Sequence, residues 1–275
     1  EGPGHTGGLL RFQLARAMAS LAPQPRSDGL SRVYQTSAGI LLLLGNRDNA
    51  AAAIDGSLPD VDVAHVICVT SGSDVKMLRR RAAEAGKESI FEVLPMEDRL
   101  STGRVVEIAK DIDEQLDAVE RAVSGAAARA GSGDCSKQSA VLVHCTLGVN
   151  RSPTLVLAYL VRSGLSLRQA YQHVLLARPT IDPLPGYREA LRVFEVEVRG
   201  GSSTVAGTEP FAKHVSELMQ ECAGDLNRVE TARNQSIQSL LHGFEDATSP
   251  RGAASPPSAR SRSSKKSDVK SCSCM

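Results

Sequence analysis

Tryptophan is absent from the 275 residues, and aromatic rings are few, with four Tyr and five Phe. The core must therefore rest on Val, Leu, Ile and Ala, and the stacking platforms that grip single-stranded nucleic acid have little to draw on. A charge excess of one sign is missing too. With 32 Lys and Arg against 31 Asp and Glu, the formal net charge of +1 supplies no field that would steer nucleic acid, and no such partner is expected. Cysteine is sparse: six thiols at positions 68, 135, 145, 222, 272 and 274 are spaced too irregularly for a disulfide framework, and no Cys-x-x-Cys pair suggests zinc. A reducing, cytoplasmic setting is the expectation. No apolar run approaches the roughly 20 residues that span a bilayer, and the first thirty residues hold no signal-peptide core.

What is present reads as an ordinary globular domain with extensions, at 41% apolar and 23% charged residues. Residues 1–31 are punctuated by Gly, Pro and Ser and read as a flexible arm. The packed domain is expected over 32–199. Within it GILLLLG, VAHVICVT and SIFEVLP are short apolar strands separated by helical patterns, and DVKMLRRRAAEAG is a helix opening on an acidic cap. Helical spacing resumes at Val105, Ile108, Ile112, Leu116 and Val119, and residues 124–139, mainly Gly, Ala and Ser, read as a flexible insertion. AVLVHC is a further strand. SPTLVLAYLVRSG and SLRQAYQHVLLARP are helices, each expected to open on a Ser cap, and YREALRVFEVEV is another. Strands alternating with helices imply an α/β fold, a single central mostly parallel sheet flanked by helices. Residues 200–208 form a linker, and 209–245 carry apolar residues at three and four residue steps, an amphipathic helix that docks on the domain or pairs with a partner helix. Residues 246–275 are rich in Ser, Pro, Lys and Arg and are expected to be disordered.

The chemistry is concentrated at His144-Cys145-Thr146-Leu147-Gly148-Val149-Asn150-Arg151-Ser152-Pro153, between an apolar strand and an apolar helix. A loop so placed binds anions, because its backbone N–H groups and the positive end of the helix dipole converge on one point. Gly148 permits the tight turn, and Pro153 suits a first helical turn. A ring of donors and a nearby cation lower a thiol pKa, which makes Cys145 a nucleophile at neutral pH. Arg151 offers a planar fork for two phosphoryl oxygens and stabilises them in the transition state. Residues 146–151 are the expected phosphate cradle.

The segment HCTLGVNRSPTLVLAYL resembles the signature of the dual-specificity branch of the protein tyrosine phosphatases. RPTIDPLPGYREAL is similar to the family segment after the second helix beyond the loop, with Leu184 where Asn is usual, and GILLLLGNRDNAA with VAHVICVT resembles its opening strands. The resemblance implies hydrolysis of phosphotyrosine and phosphoserine or phosphothreonine on proteins through a cysteinyl-phosphate. It also implies an acid on the loop after the third strand. Phe91, Leu94 and Asp98 fall at the family spacing, so Asp98 is the expected acid, with Glu97 as runner-up. By the same resemblance His144 hydrogen-bonds within the loop and helps set the thiolate, and Ser152 assists the departure of sulfur. No metal and no cofactor is called for. Thr146, Leu147, Val149 and Asn150 stand where inositol-lipid phosphatases of the superfamily carry lysines, which favours a phosphoprotein substrate. Cys68 is a candidate resolving thiol, a structural role being the plainer reading. The rival functions are a catalytically idle phosphate-binding adaptor and a prenylated phosphatase of the regenerating-liver type, which expects Ala where this chain has Ser152.

The last four residues, Cys272-Ser273-Cys274-Met275, have the C-a-a-X form, with Cys272 as the farnesyl acceptor. Six Lys and Arg against one Asp from Ser249 onward give that tail a net +5, leaving −4 on residues 1–248. A prenyl chain beside a basic patch would tether the protein to an anionic membrane surface.

Overall fold

The computed structural model describes residues 29–97, 103–130, 137–204, 211–212, 218, 221–222 and 225–248. Its strands are β1 (Ser31–Gln35), β2 (Leu41–Gly45), β3 (Val61–Cys68), β4 (Phe91–Val93) and β5 (Gln138–His144). They form one sheet in the order β1-β2-β5-β3-β4, with β1 antiparallel to β2 and every other pair parallel. β1 was absent from the sequence reading; its five residues are too short and too mixed to stand out.

Alternation along the strands assigns the two faces. Leu42, Leu44, Val141 and Val143 point into a core shared with α3 (Val105–Ala130), α4 (Arg151–Arg162), α5 (Leu167–Ala177) and α6 (Pro185–Arg199). Leu41, Leu43, Ala140 and Leu142 point the other way, onto α1 (Arg47–Asp55) and α2 (Ser73–Glu84). Both faces of β2 and β5 are therefore covered, which is why those strands read as unbroken apolar runs. Each fully buried Leu or Val contributes about 1.5–3 kcal/mol. α4 is buried from Ser152 through Val161, so the helix that follows the candidate loop is the central helix of its layer.

Two helical expectations are corrected. The stretch read as a flexible insertion over 124–139 is helical as far as Ala130, because α3 continues without a break. Ala is the best helix former, and Ala122 and Ala126 pack into the core at a four-residue step. The single helix expected over 209–245 is instead interrupted. Phe211 and Ala212 are buried but not helical, and a turn at Cys222 precedes a new helix, α7 (Leu226–Thr248). The Asp225 carboxylate accepts from the N–H groups of Asn227 (3.0 Å) and Arg228 (3.2 Å) and so starts α7. Ile237 and Leu240 lay α7 on the main core, and Gln172 of α5 donates to the Leu240 carbonyl at 3.0 Å.

Register gathers one edge of the sheet. Gly45 pairs with His144, and His144 with Cys68, so β2, β5 and β3 end level with one another. The chain segments leaving them, beginning at Asn46, Cys145 and Val69, therefore share one rim. Ligands of open α/β sheets sit at such carboxyl ends.

Candidate active site

Cys145 follows the last residue of β5 and is only 2% exposed. Its sulfur accepts from the Gly148 N–H at 3.2 Å and from the Ser152 hydroxyl at 3.2 Å. Burial alone would push the thiol up. The Ser152 hydroxyl and N–H, the Gly148 N–H and the Arg151 charge outweigh it, and the pKa falls below the ordinary 9.0.

The loop is held from outside by its carbonyls. The carbonyl of Cys145 faces His144 Nδ1 at 3.3 Å, and that of Thr146 accepts from the Arg47 N–H at 3.2 Å. Arg178 donates to the carbonyls of Leu147 (3.0 Å) and Gly148 (2.7 Å), and a third bond runs to the Gly29 carbonyl. The Asp182 N–H binds the Val149 carbonyl at 2.7 Å, and the Asn150 carbonyl takes the Thr154 hydroxyl at 2.8 Å. In a planar trans peptide, C=O and N–H point in opposite directions, so a carbonyl tied outward aims the next N–H inward. Six consecutive anchored carbonyls thus turn the donors of residues 146–151 toward the centre of the loop. The result is a concave ring of N–H groups around a thiol.

Gly148 is the residue that makes this closure possible. Its φ of +70° suits glycine, and a Cβ there would lie 2.6 Å from the Gly45 carbonyl oxygen and 2.7 Å from Arg178 Nη2. Leu147, beside it, is 69% exposed on the outer rim.

Arg151 opens α4, and its Nη1 donates to Thr70 Oγ1 at 3.0 Å while Nη2 reaches Thr146 Oγ1 at 3.5 Å. Thr146 in turn donates to Asp74 Oδ2 at 2.8 Å, and Arg47 pairs with the other oxygen of Asp74 at 3.4 Å. Asp74 is therefore not the acidic cap expected for α2; Gly72 occupies that position, and the carboxylate is turned toward the loop.

A second correction concerns Ser152. Asn150 holds the cap position of α4, and Ser152, inside the first turn, directs its hydroxyl to sulfur. Asn150 makes no side-chain cap bond because its Oδ1 accepts the Leu184 N–H at 2.9 Å, which ties the loop to the start of α6.

His144 is fully buried, and burial, opposed by its bond to the Cys145 carbonyl and by Asp74, takes it down to about 4. The imidazole is neutral at pH 7. Cys68, level with His144 on β3, is pushed up to about 11, chiefly by burial, and is an inert thiol at neutral pH.

Asp98 lies outside the described residues, as do Cys135, the residues after Thr248 and Cys272 among them. Glu97, exposed, has its backbone carbonyl held by the Tyr187 hydroxyl of α6. Asp111 and Asp113 lie on the exposed side of α3. The sequence reading assigned Thr70, Arg47, Arg178 and Asp182 no part in the loop and made Asp74 a helix cap, yet all five touch the loop or its side chains. Only the RPTIDPLPGYREAL stretch, by its resemblance, marked two of them. Among the described residues no helix is long and apolar enough to cross a membrane.

A mostly parallel α/β sheet that delivers a buried, acidified thiol into a ring of amides at a helix start defines a class of domain built around an anion-binding loop. The family follows from the sequence: residues 45–197 match the family described as dual specificity phosphatase, catalytic domain, and the chain belongs to it. Dual specificity protein phosphatase 1 of Arabidopsis thaliana is 31% identical over 147 residues, which are 53% of this chain and 62% of that protein. Dual specificity protein phosphatase 14 of Mus musculus is 41% identical over 76 residues, 27% of this chain and 38% of that protein. The chain spans less than two thirds of the length of these curated relatives. Among solved structures, the crystal structure of human DUSP28 is 24% identical, covers 64% of this chain and 99% of that one, and has a TM-score of 0.43.

Proposed function

We propose that this chain is a protein phosphatase acting on phosphotyrosine and phosphoserine or phosphothreonine, with Cys145 as nucleophile. The observation that carries the reading is the Cys145 sulfur, 3.2 Å from both the Gly148 N–H and the Ser152 hydroxyl and beside the Arg151 guanidinium. The thiolate attacks phosphorus and forms the S–P bond as the P–O bond to the substrate breaks. The inward N–H groups of the loop and the Arg151 fork stabilise the three equatorial oxygens. Asp98 gives its proton to the departing oxygen, and its carboxylate then takes a proton from the water that attacks the cysteinyl-phosphate. Inorganic phosphate leaves and sulfur departs as thiolate, helped by the hydrogen bond from Ser152. His144, neutral and bonded to the Cys145 carbonyl, fixes the start of the loop and moves no proton.

Hydrolysis of a small aryl phosphate by the intact protein, Cys145→Ser and Asp98→Asn tests this. The Ser variant is expected to be inactive, and the Asn variant slowed by about 10²–10⁴. An Asn variant as fast as the parent moves the acid to Glu97. Phosphate binding without turnover by the parent chain would make it a phosphate-binding adaptor instead.

A further inference from the structure

We propose that Arg233, on the C-terminal helix α7, is a positioning residue for the phosphate loop, acting through Asp182. The proposal rests on the loop being the phosphate site. α7 begins beyond residue 197, where the family match ends, so this brace comes from outside the matched segment.

The first observation is a misfit. Val229, Arg233 and Ile237 recur at four-residue steps along the buried stripe of α7, and a guanidinium in that stripe is expensive to desolvate. Replacing a buried ion pair as a whole by well-packed apolar side chains is often neutral or stabilising, so the presence of the pair that Arg233 forms is not accounted for by stability alone. The second observation is where it goes. Arg233 Nη1 meets Asp182 Oδ1 at 3.1 Å, and Nη2 donates to the Ile181 carbonyl at 2.7 Å. Asp182 is also held by Arg188 at 2.7 Å, so its carboxylate is fixed between two cations.

The third observation is what Asp182 holds. Its backbone N–H donates to the Val149 carbonyl at 2.7 Å. By the opposed directions of C=O and N–H, that bond aims the Asn150 N–H into the cradle. The same segment supplies the Leu184 N–H to Asn150 Oδ1 at 2.9 Å. Thus α7 fixes Ile181 and Asp182, and these fix the Val149–Asn150 peptide. The donors on sulfur, by contrast, belong to Gly148 and Ser152, and they are aimed by other groups. Loss of Arg233 should weaken oxyanion binding and leave the thiol alone.

The test compares the full chain with Arg233→Met and with Gln172→Met, which removes a different α7 anchor. Calorimetry measures affinity for inorganic phosphate, aryl phosphate hydrolysis gives KM and kcat, and the pH dependence of alkylation gives the thiol pKa. Arg233→Met is expected to weaken phosphate binding about tenfold and raise KM similarly. Its thiol pKa should stay within a few tenths of the parent. Gln172→Met should lower Tm with phosphate affinity unchanged. Equal phosphate affinity in Arg233→Met and the parent overturns the proposal, as does an equal loss in both variants. A parent chain that binds phosphate but does not turn over a substrate defeats the catalytic reading only, and a parent chain that binds none defeats both.

Discussion

Ser152 Oγ lies 3.2 Å from Cys145 Sγ across the first turn of α4, and both atoms are buried. A hydroxyl donated to sulfur stabilises the charged thiolate more than the neutral thiol. The same bond can act twice: at rest it lowers the pKa, and in the second chemical step it meets the departing sulfur. It is available because Asn150, and not Ser152, occupies the cap position.

Ser152→Ala should therefore raise the Cys145 pKa by about one to two units, the equivalent of a hydrogen bond to a charged group of about 1.5–3 kcal/mol. Iodoacetamide alkylation followed against pH reads that shift directly. Thermal stability should change little, since no helix cap is lost. A large drop in Tm with an unmoved thiol would assign the hydroxyl to the helix instead of to sulfur.

Gly148→Ala should be far more damaging than its single methyl suggests. Besides the positive φ, the added carbon would meet the Gly45 carbonyl at 2.6 Å, and that carbonyl is fixed at the end of a strand. The loop must lift, which moves the N–H groups off their focus. A fall in kcat/KM of at least about 100-fold is expected, from misplaced oxyanion donors. Steady-state kinetics with an aryl phosphate checks it, and near-parent activity would mean that the loop closes in another way.

The layers of this fold were legible because Leu41 to Leu44 and Ala140 to Val143 are buried on alternating faces, and the phosphate loop was legible because its parts are contiguous. What supports the loop was not. Arg178, Asp182, Thr70 and Asp74 reach it from segments distant in sequence, and the local pattern around each does not show which loop it meets. Ala misled for another reason: in company with Gly and Ser it resembles linker filler, while in contact with a core, as at Ala126, it extends a helix. Ser152 was misassigned by two positions, since Asn150 is an equally favoured cap residue type and holds that position although its side chain bonds the Leu184 N–H.

Arg178→Lys should separate the two anchors of the loop. The guanidinium bonds the Leu147 and Gly148 carbonyls together, which a single ammonium cannot match. Because the Leu147 carbonyl aims the Gly148 N–H at sulfur, this variant should raise both KM and the thiol pKa, where Arg233→Met moves only KM. Carbonyls left without donors cost about 1–3 kcal/mol each, so urea unfolding should show a loss in that range or above. A thiol pKa equal to the parent would disconnect Arg178 from Gly148.

His144 supplies a pH dependence of stability. Its pKa is about 4 in the fold against an ordinary 6.5, chiefly through burial. Between those values the unfolded chain binds a proton that the folded chain refuses, so stability falls as pH drops from 6.5 and the loss is complete near 4. The full contribution is on the order of 3 kcal/mol. His65 and His173 are also lowered by burial and act in the same direction, so the parent must be compared with His144→Asn, whose amide can still donate to the Cys145 carbonyl. Urea unfolding from pH 7.5 to 4 should show a steeper decline for the parent than for the variant, the difference growing through that window. Parallel curves would mean that the imidazole accepts its proton inside the folded protein, and the neutral anchor assigned to the start of the loop would have to be replaced by a charged one.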